Sequence, residues 1–192
     1  MLSTHLLRGI SITGALLLLA SCAAVSHTGP TSGPTAKVRF VASVDELAFV
    51  KQYDDTNCQK NERKLVTVRE GVLVNSAQAR LEIPGSKEFH KNSAQEISVR
   101  AGKPTHFMFS GRTSTTSKTF SCAVPFTLDA NVGQQLEAHY RFSPVIGCTV
   151  TVSEITGGNA EKAERRPVGF FTSIVTPATK GCKANFDNPK LF

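Results

Sequence analysis

Apolar and polar residues alternate along much of the chain from Lys37 onward, which is the period of a β-strand with one buried face. The alternation is cleanest in Leu65-Val-Thr-Val-Arg69 and Ala79-Arg-Leu-Glu-Ile83, and Pro84-Gly85 ends the second stretch with turn residues. Eight strands are predicted, at residues 37–44, 65–69, 79–83, 96–100, 105–109, 120–128, 136–142 and 148–155. Turn residues recur between them, so the pattern predicts an all-β fold, either an antiparallel β-sandwich or a barrel.

Two stretches fit the alternation less well. Residues 43–50 are compatible with a short helix as well as with a strand. After Ile155 the polar residues 157–167 predict a loop, and residues 168–175 predict a last strand before an irregular C-terminal tail.

The first 21 residues have a different pattern, in which Arg8 precedes an apolar run from Ile10 to Ala20. A basic start, a short apolar run and small residues at its end are typical of a secretory signal peptide. A buried N-terminal helix is the alternative, whereas a transmembrane helix needs roughly 20 apolar residues. The run ends in Leu19-Ala20-Ser21-Cys22, which resembles the lipobox of bacterial lipoproteins.

The lipobox resemblance implies cleavage before Cys22, a diacylglyceryl thioether on that cysteine and a further acyl chain, such as palmitate, on its new amino group. Two or three acyl chains anchor a protein stably, whereas one gives only marginal membrane binding. In that family an Asp after the cysteine retains the protein at the inner membrane. Ala23 in that position therefore implies the outer membrane, with the domain on its periplasmic face.

Three regions follow from these patterns. Residues 1–21 are the predicted signal peptide, and residues 22–36 are the lipidated cysteine with a tether rich in Gly, Pro, Ser and Thr. Residues 37–192 are long enough for a single β-rich domain with its own core. Twelve Phe and only two Tyr indicate a buried aromatic core, unless Phe170 and Phe171 are exposed.

Five cysteines become four once Cys22 carries lipid. An even number outside the cytoplasm predicts two disulfides among Cys58, Cys122, Cys148 and Cys182, and the three possible pairings stay open. Cys122 and Cys148 fall within predicted strands, where a bridge joins strand to strand or sheet to sheet. The spacings lack the short pairs of a zinc site or of a thioredoxin-like redox motif.

The chain is basic, with 22 Lys and Arg against 15 Asp and Glu and a formal net charge of +7. Its cations are scattered rather than clustered (Lys37, Arg39, Lys60, Arg63), which predicts a solvated basic surface and no nucleic-acid partner. Murein, phospholipid and lipopolysaccharide offer anionic surfaces in the expected compartment.

Common catalytic signatures such as HExxH, GxSxG and the P-loop are missing from the sequence. His106, His139 and Asp129 are weak candidates for a metal site, and surface or satisfied histidines explain them better. Asp54-Asp55-Thr56-Asn57 has the oxygen ligands that calcium prefers, but a turn closed by Asp and Asn explains it equally well. We therefore predict no catalytic residue, no metal and no cofactor.

The arrangement of short motifs resembles small uncharacterised periplasmic lipoproteins of proteobacteria. The motifs are Glu96-Ile-Ser-Val-Arg-Ala-Gly-Lys-Pro104, Cys122-Ala-Val-Pro-Phe126, His139-Tyr140 and Gly147-Cys-Thr-Val-Thr-Val152. The resemblance implies a transthyretin-like or immunoglobulin-like sandwich and transfers no catalytic residue.

The expected function is that of a membrane-anchored, non-enzymatic envelope lipoprotein that binds or assembles with an envelope protein. The alternative is a periplasmic inhibitor or immunity factor against a lysozyme-like or other envelope-active enzyme. An enzyme acting on murein or lipid is a less favoured third possibility, since it requires a cleft with convergent polar groups.

Overall fold

The computed structural model describes residues 29–42, 47–55, 60–68, 81–89, 93–114, 119–143 and 147–173. The predicted signal peptide, Cys22, Cys58 and Cys182 lie outside these residues. The described ranges contain no helix long and apolar enough to span a membrane.

Nine strands make up the described part of the chain, which confirms the all-β expectation. In chain order they are β1 (Thr35–Ala42), β2 (Leu47–Tyr53), β3 (Arg63–Val68), β4 (Ala94–Arg100), β5 (Thr105–Ser114), β6 (Thr119–Leu128), β7 (Gln135–Ser143), β8 (Gly147–Gly158) and β9 (Ala163–Ser173).

The strands form two sheets, as a β-sandwich requires. Sheet A has the order β4-β1-β7-β8-β9 and sheet B the order β3-β2-β5-β6. Neighbouring strands are antiparallel except β1 and β7, which run parallel. An immunoglobulin sandwich places its first, second, fourth and fifth strands in one sheet, whereas here β1 and β4 are separated from β2 and β5. The observed strand order therefore differs from that of the immunoglobulin alternative.

Aromatic side chains fill the space between the sheets. Phe40 of β1 packs edge-on against Phe107 and Phe109 of β5, with ring centroids 5.4 and 6.0 Å apart. Phe107 stacks on Phe126 of β6 at 5.6 Å. All four rings are fully buried, so each stabilises the fold by about 1.5–3 kcal/mol relative to an exposed position.

A disulfide between Cys122 of β6 and Cys148 of β8 joins sheet B to sheet A. The buried Tyr140 hydroxyl donates to the Cys122 carbonyl at 3.2 Å. At Gly111 a Cβ atom would lie 2.5 Å from the Tyr140 Oη, so only glycine leaves room for this ring. With this pairing known, the two-disulfide prediction leaves Cys58 with Cys182, and that second bridge stays a prediction.

The structure decides one open alternative and corrects two expectations. For residues 43–50 the strand alternative holds over 47–50, the start of β2, because β2 pairs with both β3 and β5 and buries Ala48 and Val50. Residues 81–83 lie outside the strands, since the chain leaves the sheets there and Glu82 has a φ of 58°. Residues 157–167 form most of a hairpin, not a loop, in which the Asn159 side chain accepts from the Glu161 and Lys162 N–H groups.

The turns at the end where β1 begins are bonded to one another. The Ala101 N–H donates to the Pro34 carbonyl, the Gly102 N–H to Ala130, and the Gly133 N–H to Thr35. The β6–β7 turn (residues 129–134) is thereby held from both sides. The chain enters β1 at this end, and Thr35 and Ala36, which were predicted to belong to the tether, are the first residues of that strand.

Candidate functional site

Buried charged side chains lie on the outer face of sheet A, under residues 81–89, which we call the cover segment. Arg39 of β1 is fully buried, and all five of its N–H donors are used. They reach the carboxylates of Glu96 (2.9 and 3.0 Å) and Glu137 (3.2 Å) and the carbonyls of Ile83 (2.6 Å) and Pro84 (2.8 Å). The basic-surface prediction is therefore wrong for Arg39.

The cluster continues across the sheet to β9. Arg165 holds both oxygens of Glu137, at 2.9 and 3.0 Å, and pairs with Glu88 of the cover segment at 2.9 Å. The guanidinium groups of Arg39 and Arg165 both lie near the ring of Phe89. Their Cζ atoms are 5.4 and 5.8 Å from the ring centroid. In order across sheet A from β4 to β9, the charged residues of the cluster are Glu96, Arg39, Glu137 and Arg165. Their charges alternate in sign, so each carboxylate lies beside a cation.

Backbone contacts hold the cover segment on the same face. Lys37 donates to the Leu81 carbonyl, and the Leu81 N–H donates to Glu96 at 2.6 Å. Gly85 has a φ of 77°, and a Cβ there would lie 2.8 Å from that of Ala163, so this close approach requires glycine. The chain bends here against β9.

The electrostatics indicate a structural role for this cluster. Burial favours a raised pKa for Glu88, but hydrogen bonds from Arg165 and the Ala163 N–H outweigh it and hold that pKa below its usual range. The hydrogen bond with Glu137 is the main reason that the pKa of Arg165 lies above its ordinary value. Among the buried groups Arg39, Glu96 and Glu137, removing one partner is costly, because it leaves a buried charge uncompensated. The charges therefore fix the cover segment to the sheet.

The two histidines considered for a metal site lie on opposite faces of the sandwich. His106 is on β5 in sheet B, with its Nδ1 atom 2.9 Å from the Thr127 hydroxyl. His139 is on β7 in sheet A, where burial and then the charge of Arg141 lower its pKa. Within the described ranges, no three His, Cys, Asp or Glu side chains stand close enough to hold a metal ion.

The acidic pair considered for calcium closes the β2–β3 turn. Asp54 accepts from Arg63 at 2.8 Å and from the Asn61 amide at 2.8 Å. Asp55 accepts from the Lys60 N–H at 2.9 Å. The turn interpretation accounts for both carboxylates, while Thr56 and Asn57 lie outside the described residues.

A small pocket opens at one corner of the sandwich, which we call the corner pocket, and polar and apolar atoms contribute about equally to its exposed lining. Its volume is about 160 Å³, and its apolar lining is formed by Leu128, Leu136, Val152, Val168 and Phe171. It lies between β6 and β9, which are the edge strands of sheets B and A.

Three polar residues complete the lining of the corner pocket: Thr127, Asp129 and Gln134. The Gln134 amide bonds to Glu154 at 3.1 Å and to the Asn131 N–H at 2.9 Å. Asp129 is exposed, and its carboxylate makes no ion pair or hydrogen bond with another described residue. The corner pocket is thus an open space lined by both apolar and polar groups, with the Asp129 carboxylate among them.

No protein-family model matches this chain, and neither a curated protein nor a solved structure shows significant similarity to it. What the two regions do must therefore follow from their own residues and geometry.

Sequence reasoning found the Cys122–Cys148 strands but missed both regions. The signal for the charged cluster was present, since Arg39, Glu96 and Glu137 each occupy an outward position in an alternating strand. The corner pocket had no comparable signal, because four strands contribute its walls.

Proposed function

We propose that this protein is a lipoprotein of the bacterial envelope, anchored in the outer membrane through lipid on Cys22, with its domain facing the periplasm. We further propose that the domain is a non-catalytic module that binds or assembles with an envelope protein. The observation that carries the anchor is Leu19-Ala20-Ser21-Cys22 at the end of an apolar run, ahead of a tether that leads into β1.

The tether sets the distance between the membrane and the domain. Its Gly, Pro, Ser and Thr content is typical of a linker. Its last residues belong to the domain, because the Ala101 N–H donates to the Pro34 carbonyl and a Cβ at Gly29 would lie 3.1 Å from that of Ser98. The end of the sandwich at which β1 begins would then face the bilayer. The sides of the sandwich would stay accessible to a second protein.

The binding role is supported by two features of the described domain. The inter-sheet disulfide and the mutually bonded turns make a rigid surface, and rigid surfaces lose less entropy on binding. The corner pocket is a concave surface at the edge of both sheets, lined by apolar and polar side chains.

The anchor is tested by metabolic labelling with an alkyne analogue of palmitate in a proteobacterial host. We expect label on the mature protein, membrane fractionation, and loss of both in Cys22→Ser. Ser21→Ala is the matched control, since it keeps a small residue before the cysteine and should retain the label. Equal labelling of Cys22→Ser would contradict the anchor.

The binding role is tested by crosslinking in living cells followed by mass spectrometry. We expect one envelope protein to be captured reproducibly by the anchored form and not by Cys22→Ser. Copurifying glycan or lipid fragments without a protein would contradict a protein-binding module. Capture of a lysozyme-like enzyme whose activity falls on binding would contradict an assembly role and support the alternative function, a periplasmic inhibitor.

A further inference from the structure

The size of the corner pocket decides what kind of ligand fits. A cavity of about 150 Å³ lined by Leu, Ile and Phe side chains is enough for a benzene molecule, whereas pockets for drug-sized ligands and cofactors are about 300–1,000 Å³. At about 160 Å³ the corner pocket fits one leucine or phenylalanine side chain and excludes a whole cofactor.

The position of the corner pocket favours a peptide over a free small molecule. The edge strands β6 and β9 flank it, and edge strands offer backbone groups that an extended segment can pair with. Val132, in the β6–β7 turn that also carries the lining residues Asp129 and Gln134, is 70% exposed.

The charge at the mouth adds specificity. Asp129 begins the β6–β7 turn, which the Gly102 and Gly133 N–H groups hold in place. Its carboxylate has no ion-pair partner among the described residues, while the neighbouring Glu154 is already paired with Arg166. A cation carried by the incoming segment would complete this arrangement.

We propose that the corner pocket is the docking site for an extended segment of a partner protein, in which one leucine or phenylalanine enters the pocket and a neighbouring lysine or arginine pairs with Asp129. This inference rests on the binding role proposed above and names the surface and the chemistry of the partner.

Phenethylamine is the probe that tests this chemistry, because its phenyl ring fits the pocket and its ammonium group lies two carbons away. We use 3-phenylpropionate as the anion of matched shape. Dissociation constants are measured by ligand-observed NMR on the mature lipoprotein in nanodiscs, with empty nanodiscs subtracted. We expect the amine to bind about two- to fivefold more tightly than the acid, as one exposed ion pair allows.

Two variants separate the charge from the cavity. Asp129→Asn should abolish the preference for the amine, while the matched control Glu161→Gln, an exposed carboxylate on the β8–β9 hairpin, should retain it. Gly169 lines the pocket with ordinary φ, and a Cβ there would lie 3.1 Å from the Phe171 ring. Gly169→Ala should therefore weaken both ligands at least about fivefold by overpacking.

Equal binding of amine and acid, or a preference that survives Asp129→Asn, would overturn the proposal. Unchanged binding in Gly169→Ala would overturn it as well, provided that the variant melts like the parent. These outcomes are independent of the anchor. If Cys22 carries no lipid while the pocket binds the amine, the envelope proposal fails alone; if an envelope protein is captured but the pocket binds neither ligand, the pocket proposal fails alone.

Discussion

The charged cluster under the cover segment and the corner pocket differ in how their groups are satisfied. In the cluster, Arg39 and Glu137 are buried, and each makes several hydrogen bonds to other parts of this chain. At the corner, apolar side chains line an open space, and Asp129 has no described partner. The charged cluster therefore stabilises the fold, whereas the corner pocket is the region where we propose that a ligand binds.

The largest effect that we expect comes from removing the cation at the centre of the cluster. Arg39→Met leaves Glu96 and Glu137 buried beside an apolar side chain, and losing one partner of a buried pair costs about 3–5 kcal/mol. Urea denaturation at pH 7 measures this loss. Arg166→Met is the control, because Arg166 has a 68% exposed side chain and should cost less than about 1 kcal/mol.

A smaller effect is expected from neutralising the carboxylate that both arginines share. Glu137→Gln keeps the shape but replaces one acceptor by a donor that faces a guanidinium. Because Arg39 and Arg165 each keep a second carboxylate, we expect a loss of about 1–3 kcal/mol. A loss below about 0.5 kcal/mol in urea denaturation would show that the cluster is not structural.

The cover segment should weaken in acid. The pKa of Glu88 lies below its usual value, so the unfolded state binds more protons between the two pKa values. Its contribution is complete above the unfolded value of about 4.3 and is lost as the pH falls through the folded value. Glu88→Gln should flatten this part of the stability profile between pH 5 and 3 by less than about 1 kcal/mol. An unchanged profile would contradict the role of Glu88.

The smallest effect is expected at the corner pocket. Asp129→Asn removes an exposed charge without a described partner, so its free energy of unfolding should stay within about 0.5 kcal/mol of the parent. Thermal and urea unfolding check this expectation. If Asp129→Asn lowered the free energy of unfolding as much as Glu137→Gln does, the corner pocket would be as structural as the charged cluster, and the contrast between the two regions would be wrong.

The sequence predicted the elements better than their arrangement. The strands predicted at residues 120–128 and 148–155 correspond to β6 and β8. The cysteines within them form an inter-sheet disulfide, a pairing that the sequence had left open. The prediction for residues 43–50 was ambiguous, because a short apolar run fits the period of a helix as well as that of a strand. The contacts of Arg39 with Ile83 and Glu137, far apart in sequence, depend on how the chain crosses sheet A, which no local pattern reveals.

Site-specific photocrosslinking in living cells tests most directly which region binds. A benzophenone side chain is placed in the anchored protein at Val132, in the β6–β7 turn that contributes Asp129 and Gln134 to the corner pocket, or at Lys87, a 63% exposed side chain on the cover segment. We expect one crosslinked envelope protein from position 132, lost in the Gly169→Ala background, and none from position 87. A crosslink from position 87 without one from position 132 would contradict this expectation.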